Sequence, residues 1–166
     1  HPLLPSIFSD HMVLQQGQAD PIWGWDAPGT KVTVIFSGQT NVAVAGADGK
    51  WRVKLAPMPA NATPQVLTVS GTTTCEIKDV LVGEVWLCSG QSNMAFPLWN
   101  VANVDWHGDY NGDLEVLDSK LPDLRLMQIP CFGTQELQDN FRGQWQVSSP
   151  ASAAPFSAVG YFCGSY

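Results

Sequence analysis

Residues 87–94 read LCSGQSNM, which places a serine, Ser92, just after a run of apolar, β-prone residues, DVLVGEVWL at 79–87. A serine that attacks an acyl carbon must stand at a strand end on a tight turn, with Oγ exposed and backbone N–H groups unengaged beside it for the developing oxyanion. The string has the parts for this: Gly90 for a sharp turn after Cys88, Gln91 and Asn93 around the serine, and a helix starting at Asn93 and Met94 to aim N–H groups and the dipole at the site. The same residue types also make an ordinary polar turn, and turn chemistry alone favours that plainer reading. A base and an acid lie nearby in NVDWHGDY, where Asp105, His107 and Asp109 allow a Ser92, His107, Asp109 set to be drawn. The surrounding Asn, Gly and Asp indicate loop, and triads are defined by geometry, so a solvated loop histidine is the simpler reading.

The elements that must position Ser92 change character along the chain. Residues 21–80 carry short runs of β-formers broken by Gly, Pro, Asn and Asp, an all-β signature. KVTVIF alternates and puts Val32, Val34 and Phe36 on one face. NVAVAG follows, and ADGKW supplies an Asp48-Gly49 turn before WRVKL, which predicts a hairpin because Gly accepts positive φ. QVLTVS and CEIKDV continue the spacing, so residues 1–79 read as a β-sandwich or jelly-roll-like module. In residues 80–166 the texture differs. VLVGEVWLC is nearly continuous in apolar residues, as for a strand covered on both faces in a parallel sheet, and LPDLRLMQIP reads as a second buried strand. PFSAVGYFCGSY has an N-cap-like Ser157 and helix-compatible spacing of Val159, Phe162 and Cys163.

Composition narrows the partners. The chain has 166 residues, 45% hydrophobic and 14% charged, with eight basic and fifteen acidic side chains and a formal charge of −7. It can bury a core. Without a Lys/Arg cluster it is a poor partner for nucleic acid or an anionic membrane, and neutral substrates fit better. No apolar run approaches the roughly 20 residues that cross a bilayer. The start, HPLLPSIFSDHMVLQ, reads as a mature terminus after signal removal and predicts a secreted, periplasmic or lysosomal location. Asn61-Ala62-Thr63 is a glycosylation-type sequon, relevant only in a eukaryotic secretory setting. Cys75, Cys88, Cys131 and Cys163 are widely spaced, with no C-x-x-C pair or nearby histidine, which argues against a metal site. Cys88, inside the apolar run, is expected to be a free, buried thiol.

The strings MVLQQ, PIWGWDAPGTKVTV, ADGKW, DVLVGEVWLCSGQSNM and FSAVGYF, in this order, resemble the sialate O-acetylesterases of the SGNH hydrolase superfamily across almost the whole chain. The resemblance implies a β module followed by the opening part of a three-layer α/β SGNH hydrolase domain. It implies that Ser92 is the nucleophile, attacking acetyl esters on sugars such as sialic acid, with no metal or organic cofactor. Family members build the oxyanion hole from the nucleophile's own N–H, here Ser92, a glycine N–H from a second block and an asparagine from a third. Gly160 in SAVGYF is the candidate glycine, with Gly143 in FRGQW as rival, and the third-block asparagine has no match.

One departure limits the implied chemistry. The superfamily's general base is a histidine in an Asp-x-x-His block, and this chain, with His1, His11 and His107, has no such block. A serine without its base retains only the catalysis that binding and the oxyanion hole supply. The expectation is therefore part of an esterase, inactive alone, with a second polypeptide or a longer parent completing the domain. The alternative from a different class is a non-catalytic carbohydrate-binding or assembly module. Seven tryptophans keep it in view, since Trp23, Trp25 or Trp51 would stack on sugar rings if exposed, although aromatic residues in strands are usually core.

Overall fold

The structure is a computed structural model and describes residues 3–101, 112–130, 133 and 135–165. It is mostly sheet. Seven strands come first: β1 (Val13–Gln15), β2 (Pro21–Trp25), β3 (Lys31–Phe36), β4 (Gln39–Val44), β5 (Lys50–Lys54), β6 (Asn61–Ser70) and β7 (Thr74–Gly83). Then follow α1 (Leu98–Val101), α2 (Gly112–Asp118), β8 (Arg125–Leu126), β9 (Gln146–Val147), α3 (Pro150–Ala153) and α4 (Ala158–Ser165). The chain divides into two compact units. One holds residues up to Val85 together with Ile129–Gln144, and the other holds Trp86–Gln128 together with the residues from Trp145 onward. The 79/80 boundary drawn from sequence falls inside β7. No helix of the described residues is long and apolar enough to cross a membrane.

The first unit contains a five-stranded mixed sheet in the order β1-β7-β6-β3-β4 and a two-stranded antiparallel ribbon of β2 and β5. Alternation in KVTVIF works as its period requires: Val32, Val34 and Phe36 are fully buried, while Lys31 and Ile35 face out. Ile22, Leu55, Leu67, Val69 and Met12 are also fully buried in this core.

The hairpin expected at Asp48-Gly49 takes a different form. Gly49 does adopt positive φ, +76°, and its N–H donates to the Gly46 carbonyl at 2.9 Å. The strands it joins, however, lie in different sheets, because β5 pairs with β2 while β4 pairs with β3. The tight hairpin is instead at Ser37-Gly38, between β3 and β4. Both central residues have positive φ, 48° and 75°, as a type I′ turn demands.

The loops of the two sheets meet at Asp26. Its N–H donates to the Gly49 carbonyl at 2.9 Å, and its carboxylate accepts the Ala27 N–H at 2.7 Å, the Thr72 N–H at 2.9 Å and the Thr72 hydroxyl. Thr72 lies in the turn joining β6 to β7, so one side chain ties that turn to the loop after β2. Gly71 leaves the space this needs, since a Cβ there would overlap Asp26 Oδ2. Gly24 has a similar reason: a Cβ would overlap the Leu3 carbonyl oxygen.

The second unit has a smaller core of Leu98, Leu126, Ala153, Ala158 and Tyr161, flanked by Val116, Leu121, Leu124, Phe156 and Phe162. LPDLRLMQIP, read as a buried strand, forms only the two-residue β8, antiparallel to β9. The α4 helix forms as expected, but Val159 and Cys163 are exposed and Ala158, Gly160 and Tyr161 face inward. Its inward stripe follows the short Ala158–Tyr161 step against Leu98 and Leu126, which hydropathy spacing alone does not select.

Two carboxylates of the first unit are shifted in opposite directions. The Thr72 hydroxyl above all, with the Thr72 and Ala27 N–H groups, holds Asp26 below the ordinary carboxylate range. Its contribution is present above the ordinary carboxylate pKa and is lost as pH falls through its lower folded value. Burial pushes Asp20 up, against one N–H from Gln15, and Asp20 Oδ2 has no hydrogen-bond partner. Stability linked to the Asp20 proton is full below the ordinary carboxylate pKa and is lost as pH rises through the higher folded value. Thermal unfolding at neutral pH separates the two: Asp26→Asn lowers Tm and Asp20→Asn raises it, and the Asp20→Asn gain vanishes in acid. Shifts of the same sign would contradict these assignments.

Candidate active site

The chain leaves the first unit through a clasp. β1 runs parallel to β7, with Gln15 beside Gly83, so the two glutamines of MVLQQ arrive next to the residue that follows β7. Glu84 accepts from Gln15 Nε2 at 2.9 Å and from Gln16 Nε2, and the Val85 N–H donates to Gln15 Oε1 at 2.8 Å. The Gln16 bond first, and the Gln15 bond second, hold the Glu84 carboxyl below its ordinary value.

Beyond the clasp the apolar run does not continue as a strand. Val80, Leu81 and Val82 are buried within β7, as a doubly covered strand requires, but residues 84–90 belong to no strand. Trp86 is 69% and Leu87 84% exposed. Cys88 is a free thiol as expected, but exposed instead of buried, because the segment carrying it has no covering layer among the described residues. Cys75 and Cys163 are also free thiols, and Cys131 lies outside the described residues.

Ser92 sits in a tight turn. The Gln91 carbonyl accepts the Met94 N–H at 3.0 Å and the Ala95 N–H at 3.1 Å, which makes residues 91–95 a single helical turn with Ser92 at its start. Ser92 is exposed, its hydroxyl has no hydrogen-bond partner among the described residues, and neither its N–H nor that of Asn93 meets a backbone acceptor. The expected helix at Asn93 is only this turn, so the oxyanion-facing dipole of a full helix is not part of the site. Gly90 serves by close approach and not by positive φ: a Cβ there would lie 3.1 Å from Met94 Cβ.

The turn is held to the start of α4. Residues 96–99 lie antiparallel to residues 154–158, with Leu98 N–H donating to the Phe156 carbonyl at 2.9 Å and Ala158 N–H to the Phe96 carbonyl at 2.8 Å. Ser157 caps α4, its Oγ accepting the Gly160 N–H at 3.1 Å, and the same hydroxyl donates to Met94 Sδ at 3.4 Å. The structure thus links the Ser92 turn to Gly160 through Met94 and Ser157. Gly160 is buried, its N–H is engaged by Ser157 Oγ, and a Cβ on it would stand 3.2 Å from Phe156 Cε1. Gly143 lies in the other unit. Sequence reasoning missed the Met94 contact, whereas Ser157, the first residue of SAVGYF, was legible as the cap of α4.

The remaining candidates are scattered. Asp105, His107 and Asp109 lie outside the described residues, as does His1. His11 Nδ1 meets Asp79 Oδ2 at 2.6 Å in the first unit. Trp51 is core, at 3% exposure, whereas Trp23 and Trp25 are half-buried. No group of three His, Cys, Asp or Glu side chains that could hold a metal ion occurs among the described residues.

No family model matches the chain. Curated relatives do. Sialate O-acetylesterase from Homo sapiens is 32% identical over 160 residues, covering 89% of this chain and 29% of that protein. Its counterpart from Rattus norvegicus is 36% identical over 109 residues, covering 59% of this chain and 20% of that protein. Among solved structures, a carbohydrate acetylesterase from Xanthomonas citri superposes with a TM-score of 0.87 at 36% identity, over 98% of this chain and 36% of that one. Similar along most of its own length to these esterases, the chain belongs to the sialate O-acetylesterase-like family and spans 29% of the human member's length.

Proposed function

We propose that this chain is the amino-terminal part of a carbohydrate O-acetylesterase in which Ser92 is the nucleophile. The observation that carries the reading is the Ser92 turn itself: an exposed hydroxyl at the head of a helical turn, with neither a partner for the hydroxyl nor a backbone acceptor for the first N–H groups among the described residues. In this reading Ser92 Oγ attacks the acetyl carbonyl of an O-acetylated sugar such as sialic acid. The Ser92 N–H helps to stabilise the oxyanion, the sugar hydroxyl leaves, and water then releases acetate. Gly160 joins the oxyanion hole only if Ser157 Oγ gives up its N–H. Gln91 and Asn93 shape the turn, and Gly90 lets Met94 close against it.

In the same reading the sheet-rich unit is a sandwich-like or jelly-roll-like module of an exported protein, and the residues from about 80 onward open a three-layer SGNH hydrolase domain. The base that this chain lacks comes from the remaining length of a longer protein or from a second polypeptide. The uncovered residues 85–88 favour this, since they carry the apolar surface a neighbouring layer would bury.

Two measurements test the reading. In the complete esterase, Ser92→Ala reduces acetate release from an O-acetylated sialic acid to the residual level left by binding alone, with the fold intact, because an exposed Oγ is all that is removed. Normal turnover by Ser92→Ala would overturn the nucleophile. The 166-residue chain assayed alone on a chromogenic acetate is nearly inert, and His107→Ala in the complete esterase changes little, since general-base assistance is worth about 10²–10⁴-fold and His107 does not provide it. Robust turnover by the chain alone that disappears on His107→Ala would establish a local Ser92, His107, Asp109 set instead.

A further inference from the structure

The chain is acidic, yet three of its eight cations occupy alternate positions of one five-residue strand. Lys50, Arg52 and Lys54 are all exposed on β5 and stand opposite Trp25, Trp23 and Pro21 of β2, on the outward face of the ribbon. Lys50 Nζ is answered by Asp139 at 3.0 Å. Arg52 and Lys54 have neither a carboxylate nor a hydrogen-bond partner among the described residues.

Arg52 is also held in place. Its guanidinium carbon lies 5.8 Å from the centroid of the Trp23 ring, within the range of a cation–π contact. Trp23 in turn packs edge-to-face with Phe8, a buried ring at 4.6 Å and 75°. A guanidinium restrained on an indole gives up less conformational freedom on binding, and its planar fork matches a carboxylate. We propose that Arg52, with Lys54 beside it and the Trp23 edge and Pro21 as apolar floor, binds the carboxylate of an acidic sugar.

Charge selects the ligand size. A polyanion would meet the net charge of −7, whereas a single carboxylate needs only the local pair. That the carboxylate is carried by a sugar rests on the carbohydrate esterase reading above. The anion site itself rests on Arg52, Lys54 and Trp23.

Titration calorimetry of the 166-residue chain with N-acetylneuraminic acid tests the proposal, with N-acetylglucosamine and sodium acetate as controls. The acidic sugar binds saturably in the millimolar range and more tightly than either control. Binding weakens with added salt and falls about tenfold in Arg52→Ala, the scale of losing one charge-assisted hydrogen-bonded contact. Arg52→Lys loses less. The Arg52 side chain is exposed, so both variants keep the wild-type circular dichroism spectrum. Unchanged binding in Arg52→Ala, equal affinity for the neutral sugar, equal affinity for acetate, or no saturable binding would each overturn the proposal. Binding needs no turnover, so failure of the Ser92 assignment leaves this result standing, and the converse also holds.

Discussion

The β-rich unit depends on Asp26. A five-stranded sheet and a two-stranded ribbon have no shared ladder, so beyond the apolar core their directional links come from loops, and Asp26 joins three of them. Its backbone N–H takes the Gly49 carbonyl, and its carboxylate takes the Ala27 N–H and both polar groups of Thr72. Charge-assisted hydrogen bonds of this kind are stronger than neutral ones and directional, which suits a joint better than apolar contact would. Two glycines follow from the same joint. Gly71 and Gly49 approach Asp26 too closely for a side chain, and Gly49 also takes a φ that other residues resist.

Glu84 performs the corresponding task at the exit from β7. The parallel placement of β1 on β7 delivers Gln15 and Gln16 to Glu84, so a motif near the start of the chain holds Glu84 and Val85. Those residues are apolar and exposed, and the Ser92 turn follows them. What keeps that turn in shape is local: the double acceptor at the Gln91 carbonyl, the close pass of Gly90 and Met94, and the Met94 contact to the cap of α4. The nucleophile proposed here needs its oxygen uncovered, and Ser92 is exposed, with no hydrogen-bond partner for its hydroxyl among the described residues.

Several features were legible because they are properties of adjacent residues. The period-2 pattern of KVTVIF decides which side of β3 is buried, the Asp-Gly pair decides a positive-φ corner at Gly49, and a serine three residues before a glycine decides the cap of α4. The string around Ser92 was legible too, both as a turn and by its resemblance to acetylesterases, and 36% identity over nearly the whole chain to a carbohydrate acetylesterase agrees with the resemblance.

Other features belong to the tertiary structure alone. Turn chemistry at Gly49 says that the chain reverses, but not that β5 then pairs with β2 and leaves β4 at an edge. Apolar composition across residues 79–88 says that the surface favours cover, yet only the folded arrangement decides that Val80 to Val82, in β7 between β6 and β1, are buried and that Trp86 to Cys88 are not. Hydropathy spacing finds α4 but not which stripe meets Leu98 and Leu126. The amino-acid sequence by itself therefore determined the strand periods, the turn corners, the helix cap and the acidic balance. The three-dimensional arrangement decided pairing, cover and the reach of Gln15, Gln16 and Asp26, because those depend on groups that approach one another only after the intervening chain has folded.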